Sequence, residues 1–451
     1  MIQGPILIVI LLLAILFVVI GISKFKMHPF LVLLLAAYGI ALAAGMTQTE
    51  IAGVITGGFG TTLTAIGIVI IVGVIIGTIL EKSGAAIKMA DIVIRLVGPK
   101  RPTLAMSILG YIVSIPVFCD SGFVILSSLN KSLAKRTKTS WVATSIALAT
   151  GLYATHTLVP PTPGPLAAAA NLELENLLLV IAIGMLVAIP STIVGLIFAN
   201  KVASKYQSND IGSDDKLSYE EELKKYGKLP SGWGSFAPIV VPILLMSFGS
   251  IARFPGYPLG EGLIRDWTIF FGTPVSALII GMFFAFALVP KFDTKLLSTW
   301  IGDGITGSAM IIVVTATGGA LGAVIRATPI GTYLGEVLQG LHVGILLPFI
   351  MAAAFKSAQG STTVSLIMTS AIMLPLLPAL GLDSEMGKAL TVAAIGAGAM
   401  VVSHANDSFF WVVSQFGGMD VKTAFKTFTV ATLLQGIFAI TFVYILTLVL
   451  L

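Results

Sequence analysis

The sequence is short of charge, of cysteine and of nucleotide-binding motifs, and each shortage excludes a class of protein. Only 10% of the 451 residues are charged, whereas a soluble globular domain has about 25%. Cys119 is the single cysteine, which excludes an intrachain disulfide and a cysteine-based metal cluster. The glycine-rich segment 316–323 lacks the strand context and the lysine of a phosphate-binding loop. The sequence therefore supports no metal, no cofactor and no nucleotide hydrolysis.

Apolar residues are abundant instead, at 56% of the chain with a mean hydropathy of +1.01. Apolar runs recur at about the 20 residues that a membrane-spanning helix needs, and the first has no basic segment before it and no clear cleavage site after it, so we expect a permanent helix. These features predict an all-α polytopic membrane protein. The ten predicted spans are 5–23, 28–46, 62–80, 140–156, 176–198, 236–251, 267–289, 304–325, 388–403 and 428–449.

Two further apolar stretches, 103–133 and 343–378, are interrupted in the middle by polar clusters. The clusters are FCDSG at 118–122 and KSAQGSTT at 356–363. Irregular backbone at membrane depth is tolerated where it is covered by protein or lines a cavity. Both stretches are therefore predicted to be re-entrant hairpins.

The basic residues predict the orientation of the chain, because cytoplasmic loops of membrane proteins are enriched in lysine and arginine. If the chain starts outside and each hairpin returns to its own side, 21 of the 26 lysines and arginines fall on the cytoplasmic side. The distribution predicts that both termini lie outside, with the first hairpin entering from the cytoplasm and the second from outside. It also explains the net charge of +5 without a nucleic-acid partner.

An internal repeat is predicted from the order of the parts. Residues 64–86 align with 309–331 at an offset of 245, which pairs Gly73 with Gly318 and Gly77 with Gly322. In each half a hairpin follows, and then a helix that ends in a polar segment. The predicted units are a first inverted repeat at 1–199, a cytoplasmic linker at 200–233 and a second inverted repeat at 234–451.

The polar segments are THTLVPPTPGP at 155–165 and SHANDSFFW at 403–411. Prolines in a membrane segment indicate an unwound stretch that lines a cavity, and the freed N-terminal end of the next half-helix is suited to an anion. An extracellular turn is the alternative for the proline cluster alone. The matching position of the second segment favours two broken helices, around 155–165 and 403–411.

Ionisable residues inside these segments are candidates for ion coupling, because a charge at membrane depth is costly and usually functional. Asp120 in the first hairpin and Asp407 in the second broken helix are the two candidate proton carriers. Asp120 is alternatively a cap of the helix that follows it. Two roles are open for Lys356, attraction of a carboxylate or extension toward the outer surface, and the second is favoured because it is usual for a lysine near a helix end.

At these residues the sequence resembles the gluconate permease family, proton-coupled carriers of sugar acids within the ion transporter superfamily. The resemblance covers essentially the whole chain and depends on FCDSGFVIL, THTLVPPTPGP, GSTTVS and SHANDSFFW, together with KFKMHPFL at 24–31 and EKSGAA at 81–86. It implies a scaffold domain, a transport domain with both hairpins, a homodimer and an elevator-type motion. Family members associated with gluconate itself have glutamate at the position of Asp120 and histidine at that of Thr162, which puts gluconate in doubt here.

The sequence thus predicts a transporter of the bacterial inner membrane that brings a small organic anion, gluconate or a related hydroxy or sugar acid, into the cell with protons. The alternatives are a sodium-coupled carrier, a D-serine or glycerate transporter, and a channel. An enzyme is disfavoured, because Cys119 beside Asp120 has no assigned orienting partner. The predicted substrate-binding residues are Ser121, Gly122, Thr155, His156, Thr157, Pro161, Thr162, Gly164, Ser357, Gln359, Gly360, Ser361, Thr362, Ser403, His404 and Asn406.

Overall fold

The computed structural model describes residues 4–98, 100–206, 229–252, 260–289, 293–330, 333, 344–404 and 407–451. Throughout these ranges the chain is helical and forms no strand. Most of the predicted linker and Asn406 of the predicted site lie outside the described residues.

The helices of the first half begin where the sequence supplies a cap or a proline. Pro29 occupies the first turn of the second helix, and Thr47 and Glu50 form a capping box at the start of the third. The helices are α1 (Ile6–Ser23), α2 (Pro29–Ala43), α3 (Gln48–Lys82), α4 (Ala85–Val97), α5 (Pro102–Val113), α6 (Cys119–Thr137), α7 (Trp141–Leu158), α8 (Pro163–Asn171) and α9 (Leu177–Lys201).

The second half has the same kinds of helix start, with Asp293 and Ser384 as side-chain caps. Its helices within the described residues are α10 (Gly232–Ala252), α11 (Leu263–Phe271), α12 (Pro274–Phe286), α13 (Thr294–Ala327), α14 (Leu346–Gln359), α15 (Thr362–Met373), α16 (Leu377–Leu380), α17 (Glu385–Met400), α18 (Ser408–Phe416), α19 (Val421–Ala424) and α20 (Val430–Leu450).

Each predicted span overlaps a helix, but two of the spans differ in shape from a single straight helix. The span predicted at 62–80 is the second part of α3, which begins at Gln48 and bends by 47°. The span predicted at 267–289 is two helices, α11 and α12, at an angle of 69°. By length and composition, 6 helices in the described ranges can cross a membrane, or up to 8 if each bent pair counts as one span.

Helix starts recur at the offset found in the sequence. From Pro29 of α2 to Pro274 of α12, and from Pro163 of α8 to Ser408 of α18, the distance along the chain is 245 positions. The pairs α5 with α14 and α7 with α17 start 244 positions apart. In these four pairs, the second-half helix starts 244 or 245 positions after its first-half counterpart.

The two long helices, α3 and α13, pack against each other in antiparallel directions. A Cβ on Gly58 would lie 2.5 Å from the Cβ of Ala323, and a Cβ on Gly304 would lie 2.8 Å from the Cα of Ile75. Small residues at these positions allow the backbones to approach closely. Lys82 of α3 forms an exposed ion pair with Asp303 of α13 near one end of the contact.

The hydrophobic core surrounds α7 and α17. Every residue of α7 from Val142 to Leu158 is buried, and α17 is buried from Ala389 to Met400. By contrast, Ile189, Ile193 and Ile197 form an exposed apolar stripe on α9, as expected for a helix that faces lipid. Helices α7 and α17 end at the predicted breaks and are buried up to their last residues, so both breaks begin in the interior of the protein.

A candidate substrate site where two helix breaks meet two hairpins

The first break is shorter than the proline-rich sequence predicts. Helix α7 continues to Leu158, so Thr155, His156 and Thr157 belong to its last turns. The hydroxyl of Thr157 donates to the carbonyl of Ala154 at 3.2 Å, which satisfies it within the helix. The expectation that unwinding begins at Thr155 is therefore wrong, because side-chain bonds to the preceding turn allow threonine to remain helical.

The non-helical part of this break consists of residues 159–162 and includes a cis peptide bond between Pro160 and Pro161. Thr162 precedes α8, and its hydroxyl donates to the carbonyl of Val159 at 2.5 Å. Pro163 occupies the first turn of α8, where a missing N–H costs nothing. The prolines thus end α7 and start α8 across a four-residue gap.

The second break separates α17 from α18. Val401 is extended, and Val402 has a φ of +55°, which is unusual for a β-branched residue. Asp407 caps α18, with its Oδ1 accepting from the N–H of Phe409 at 3.2 Å. Asp407 is therefore held at the N-terminal end of a half-helix, as Thr162 is at the first break.

The two predicted hairpins are interrupted at their polar clusters. The first has a break between α5 and α6, and Asp120 lies in the first turn of α6. The second has a break between α14 and α15 at Gly360, whose φ of +91° favours glycine. Ser361 caps α15 by accepting from the N–H of Val364 at 3.3 Å.

The hairpins and the broken helices pack crosswise between the two halves. The first hairpin contacts the second break, since Ser408 donates to Oδ1 of Asp120 at 3.4 Å. The second hairpin contacts the first break, where a Cβ on Gly164 would lie 2.5 Å from the side chain of Leu366. Four helices, α6, α8, α15 and α18, therefore begin close to one another, and their N-terminal ends favour negative charge.

Tyr153 of α7 joins the two pairs of helices. Its hydroxyl lies 2.8 Å from Oγ1 of Thr362 on α15, and its ring is 5.4 Å from the ring of Phe409 on α18. The side chain is 1% exposed. Tyr153 was not among the residues predicted from sequence, although a tyrosine in an apolar helix about two turns before a proline-rich break is a usable signal.

A buried ion pair lies beside Tyr153. Nζ of Lys356, at the end of α14, is 2.7 Å from Oδ2 of Asp407, and both side chains are buried. The same ammonium also donates to the carbonyl of Gly360. The expectation that Lys356 extends to the outer surface is wrong, because the break places a carboxylate within its reach in the interior.

Several of the remaining predicted residues lie around this pair. Ser403 donates to Oδ2 of Asp407, and Nε2 of His404 is 3.1 Å from the carbonyl of Ser357. The His156 ring is buried 5.9 Å from the ring of Phe118, and its Nδ1 has no hydrogen-bond partner among the described residues. The placement of the Gln359 side chain is not described.

Three further predicted residues pack in the first half of the molecule. The carbonyl oxygen of Pro161 would lie 3.4 Å from a Cβ on Gly73 of α3, and a Cβ on Gly122 would lie 2.9 Å from Leu152 of α7. Ser121 lies within hydrogen-bonding reach of the Glu81 side chain. The 2.9 Å approach at Gly122 leaves no room for a Cβ unless the Leu152 side chain shifts, whereas the space beside Gly73 admits one at ordinary van der Waals distance.

A cavity of about 560 Å³ lies between the two long helices, α3 and α13, and the helices α8 and α15. It is located at the C-terminal end of α8, about 13 Å along that helix from the first break. Its polar lining includes Thr62, Asn171, Glu173 and Arg326, the last two joined as an ion pair. Lys356, Asp407 and Tyr153 are not part of its lining, so the cavity does not contain the candidate site.

A helical membrane fold with paired helix breaks around a buried ion pair is typical of a secondary transporter, in which discontinuous helices surround the site. The chain belongs to the GntP family of permeases, whose family model matches residues 6–449, so the resemblance seen in the sequence is confirmed. It is a multi-pass membrane transporter and not an enzyme.

Two relatives and one solved structure are similar over nearly the whole chain. The gluconate permease of Pseudomonas aeruginosa is 30% identical over 436 residues, 95% of each chain. The D-serine transporter DsdX of Escherichia coli is 30% identical over 441 residues, 97% of each chain. The crystal structure of the Alcanivorax borkumensis YdaH transporter superposes with a TM-score of 0.58 at 15% identity, covering 88% of this chain and 87% of that one, which supports the fold alone.

Proposed function

We propose that the protein is an inner-membrane symporter that brings gluconate, or a related small hydroxy or sugar acid, into the cell together with protons. The observation that carries this proposal is the buried Lys356–Asp407 pair at the meeting of the second hairpin and the second break. It lies beside the N-terminal ends of four helices, where an organic anion is favoured. The gluconate permease relative supports the substrate class.

The substrate carboxylate would bind the N-terminal ends of α8 and α15, next to Thr162 and Ser361. Its hydroxyl groups would bond to Thr362, His404 and the backbone between Pro161 and Gly164, which supply both donors and acceptors. The 560 Å³ cavity would be part of the path to this site. Entry and release of the substrate would alternate as α6, α8, α15 and α18 move against α3 and α13. The transporter would be a homodimer, and each chain would contain inverted repeats and re-entrant hairpins.

Asp120 is the better candidate for the transported proton. Asp407 is already paired with the Lys356 side chain at 2.7 Å, whereas Asp120 accepts a long bond of 3.4 Å from Ser408. A carboxylate at membrane depth with a weak partner gains most from protonation. Asp120 would be protonated with substrate bound, and would release the proton on the cytoplasmic side.

Uptake of labelled gluconate into proteoliposomes under an inward proton gradient tests the proposal. Saturable uptake that an uncoupler abolishes is expected, with empty liposomes as the control. Competition with glycerate, D-serine, fructuronate and lactate ranks the substrates. Non-saturating flux would indicate a channel instead, and saturable uptake indifferent to the gradient would exclude proton coupling.

D-serine or glycerate transport is the second candidate, and the residues at two positions favour it. Asp120 is shorter than the glutamate of gluconate carriers, and Thr162 supplies a hydroxyl in place of an imidazole, as noted above. The D-serine transporter is as similar to this chain as the gluconate permease is. If D-serine competes more strongly than gluconate in the same assay, this candidate replaces the first.

Removal of one hydroxyl tests whether Tyr153 supports the site. Tyr153→Phe is expected to lower uptake several-fold while the protein still folds, because the ring keeps its packing and the 2.8 Å bond to Thr362 is lost. A bond of this kind contributes about 1 kcal/mol. Tyr444→Phe is the matched control, because the Tyr444 side chain in α20 is exposed. Unchanged uptake in Tyr153→Phe would remove this residue from the site.

A further inference from the structure

We infer that the ammonium of Lys356 occupies a built-in cation site, formed by the second hairpin and the second break, and thereby excludes sodium from that site. The existence of the site does not depend on which acid is transported. Its consequence for coupling rests on the proposed function, because a carrier whose cation site is filled by its own lysine must draw on another ion.

The oxygens around Nζ are those that a hard monovalent or divalent cation prefers. Oδ2 of Asp407 lies 2.7 Å away, and the carbonyl of Gly360 accepts a second hydrogen bond. A carboxylate and a backbone carbonyl are typical ligands of hard cations in proteins. The face of the Tyr153 ring, with its centroid 5.8 Å from Nζ, closes one side of the site and attracts a cation.

The site is held in place from two directions. On the hairpin, the positive φ of Gly360 lets the chain turn so that its carbonyl faces back to Lys356. On the break, the N–H of Ser403 donates to Thr432 at 3.1 Å, and its carbonyl accepts from Thr429 at 2.6 Å. Thr429 precedes α20 and Thr432 lies in its first turn, so α20 fixes the backbone of Ser403, whose hydroxyl in turn donates to Oδ2 of Asp407.

The charge of the site is already balanced. Lys356 is 0% exposed and Asp407 is 5% exposed, so both charges are removed from water. A sodium ion entering beside the ammonium would add a second positive charge at a distance of a few ångströms, and like charges repel strongly in a medium of low dielectric constant. Because the lysine is covalently attached, it cannot leave to make room. The second break therefore cannot bind sodium in the native protein.

Lys356→Ala tests this inference without any transported substrate. The substitution empties the site but keeps Asp407 and the Gly360 carbonyl. Purified protein is heated in sodium chloride and in choline chloride of equal ionic strength. In the variant, sodium is expected to raise the melting midpoint saturably, by about 2–4 °C, since an ion that binds only the folded state stabilises it. The native protein is expected to melt identically in both salts.

Two variants serve as controls. Lys388→Ala removes a lysine that also donates to a carbonyl, that of Glu173 at 3.0 Å, and lies 3.8 Å from a carboxylate of Glu385, but at a less buried place. It is expected to show no sodium response. In Lys356→Ala/Asp407→Asn the anionic ligand is lost as well, and the response is expected to disappear.

Each outcome decides the question. A sodium-specific rise in the native protein, or no rise in folded Lys356→Ala, would overturn the inference. If Lys356→Ala does not fold, uptake by the native protein decides instead, since equal uptake in sodium and choline supports the inference and sodium-stimulated uptake contradicts it. Failure of gluconate uptake alone affects the proposed substrate and leaves the melting experiment unchanged.

Discussion

Asp407→Asn is expected to abolish uptake and to lower the free energy of unfolding by about 3–5 kcal/mol, the cost of breaking a buried ion pair. The substitution keeps the shape of the side chain but leaves the ammonium of Lys356 buried opposite a neutral amide. The cap of α18 survives, because the amide oxygen can still accept from Phe409. Thermal melting of the purified variant and uptake into proteoliposomes measure the two effects.

A double variant separates folding from transport. Lys356→Met/Asp407→Leu removes both charges and is expected to fold much better than Asp407→Asn, because apolar residues often replace a buried pair without loss of stability. It should still fail to transport. Asp303→Asn is the control, since its ion pair with Lys82 is exposed and such pairs contribute about 0–1 kcal/mol. Transport by the double variant would show that the pair has only a structural role.

Gly184→Ala is expected to damage the first break without touching a polar side chain. Gly184 lies in α9 where this helix crosses the end of α7, and an added Cβ would overlap the carbonyl oxygen of Leu158. A backbone atom cannot move aside as a flexible side chain does, so α7 and the segment 159–162 must shift. Overpacking of this kind costs about 1–3 kcal/mol. Uptake should be lost almost completely while the melting midpoint falls only modestly, because the backbone shift reaches the candidate site.

The control for this prediction is another helical glycine with open space around it. A Cβ added to Gly39 in α2 would have no neighbouring atom within 4 Å, so Gly39→Ala should be neutral or slightly stabilising, since alanine favours a helix by about 1 kcal/mol. Both variants are compared by melting midpoint and by uptake. Normal uptake in folded Gly184→Ala would show that the first break tolerates displacement.

Local sequence features predicted where helices are interrupted. Gly360 favours a left-handed turn, and Pro163 can start a helix but not continue one, so the interruptions near both positions were visible in the sequence. The sequence places the end of α7 at Ala154, four residues before its observed end at Leu158, because threonines that bond to the preceding turn do not differ in composition from threonines in a loop. The extra length of α3 was missed because its first turns are less apolar than a membrane span.

The amino-acid sequence by itself determined the family, the all-helical membrane fold and the places of four helix interruptions. These depend on composition and on residues close together along the chain, such as apolar runs, prolines and glycines. Only the tertiary structure decided that Lys356 is buried against Asp407 and that Tyr153 reaches Thr362. Lys356 and Asp407 are 51 positions apart along the chain, and Tyr153 and Thr362 are 209 apart. Contacts over such distances are set by packing, and the free energy of a buried charge depends on the partner that packing places beside it.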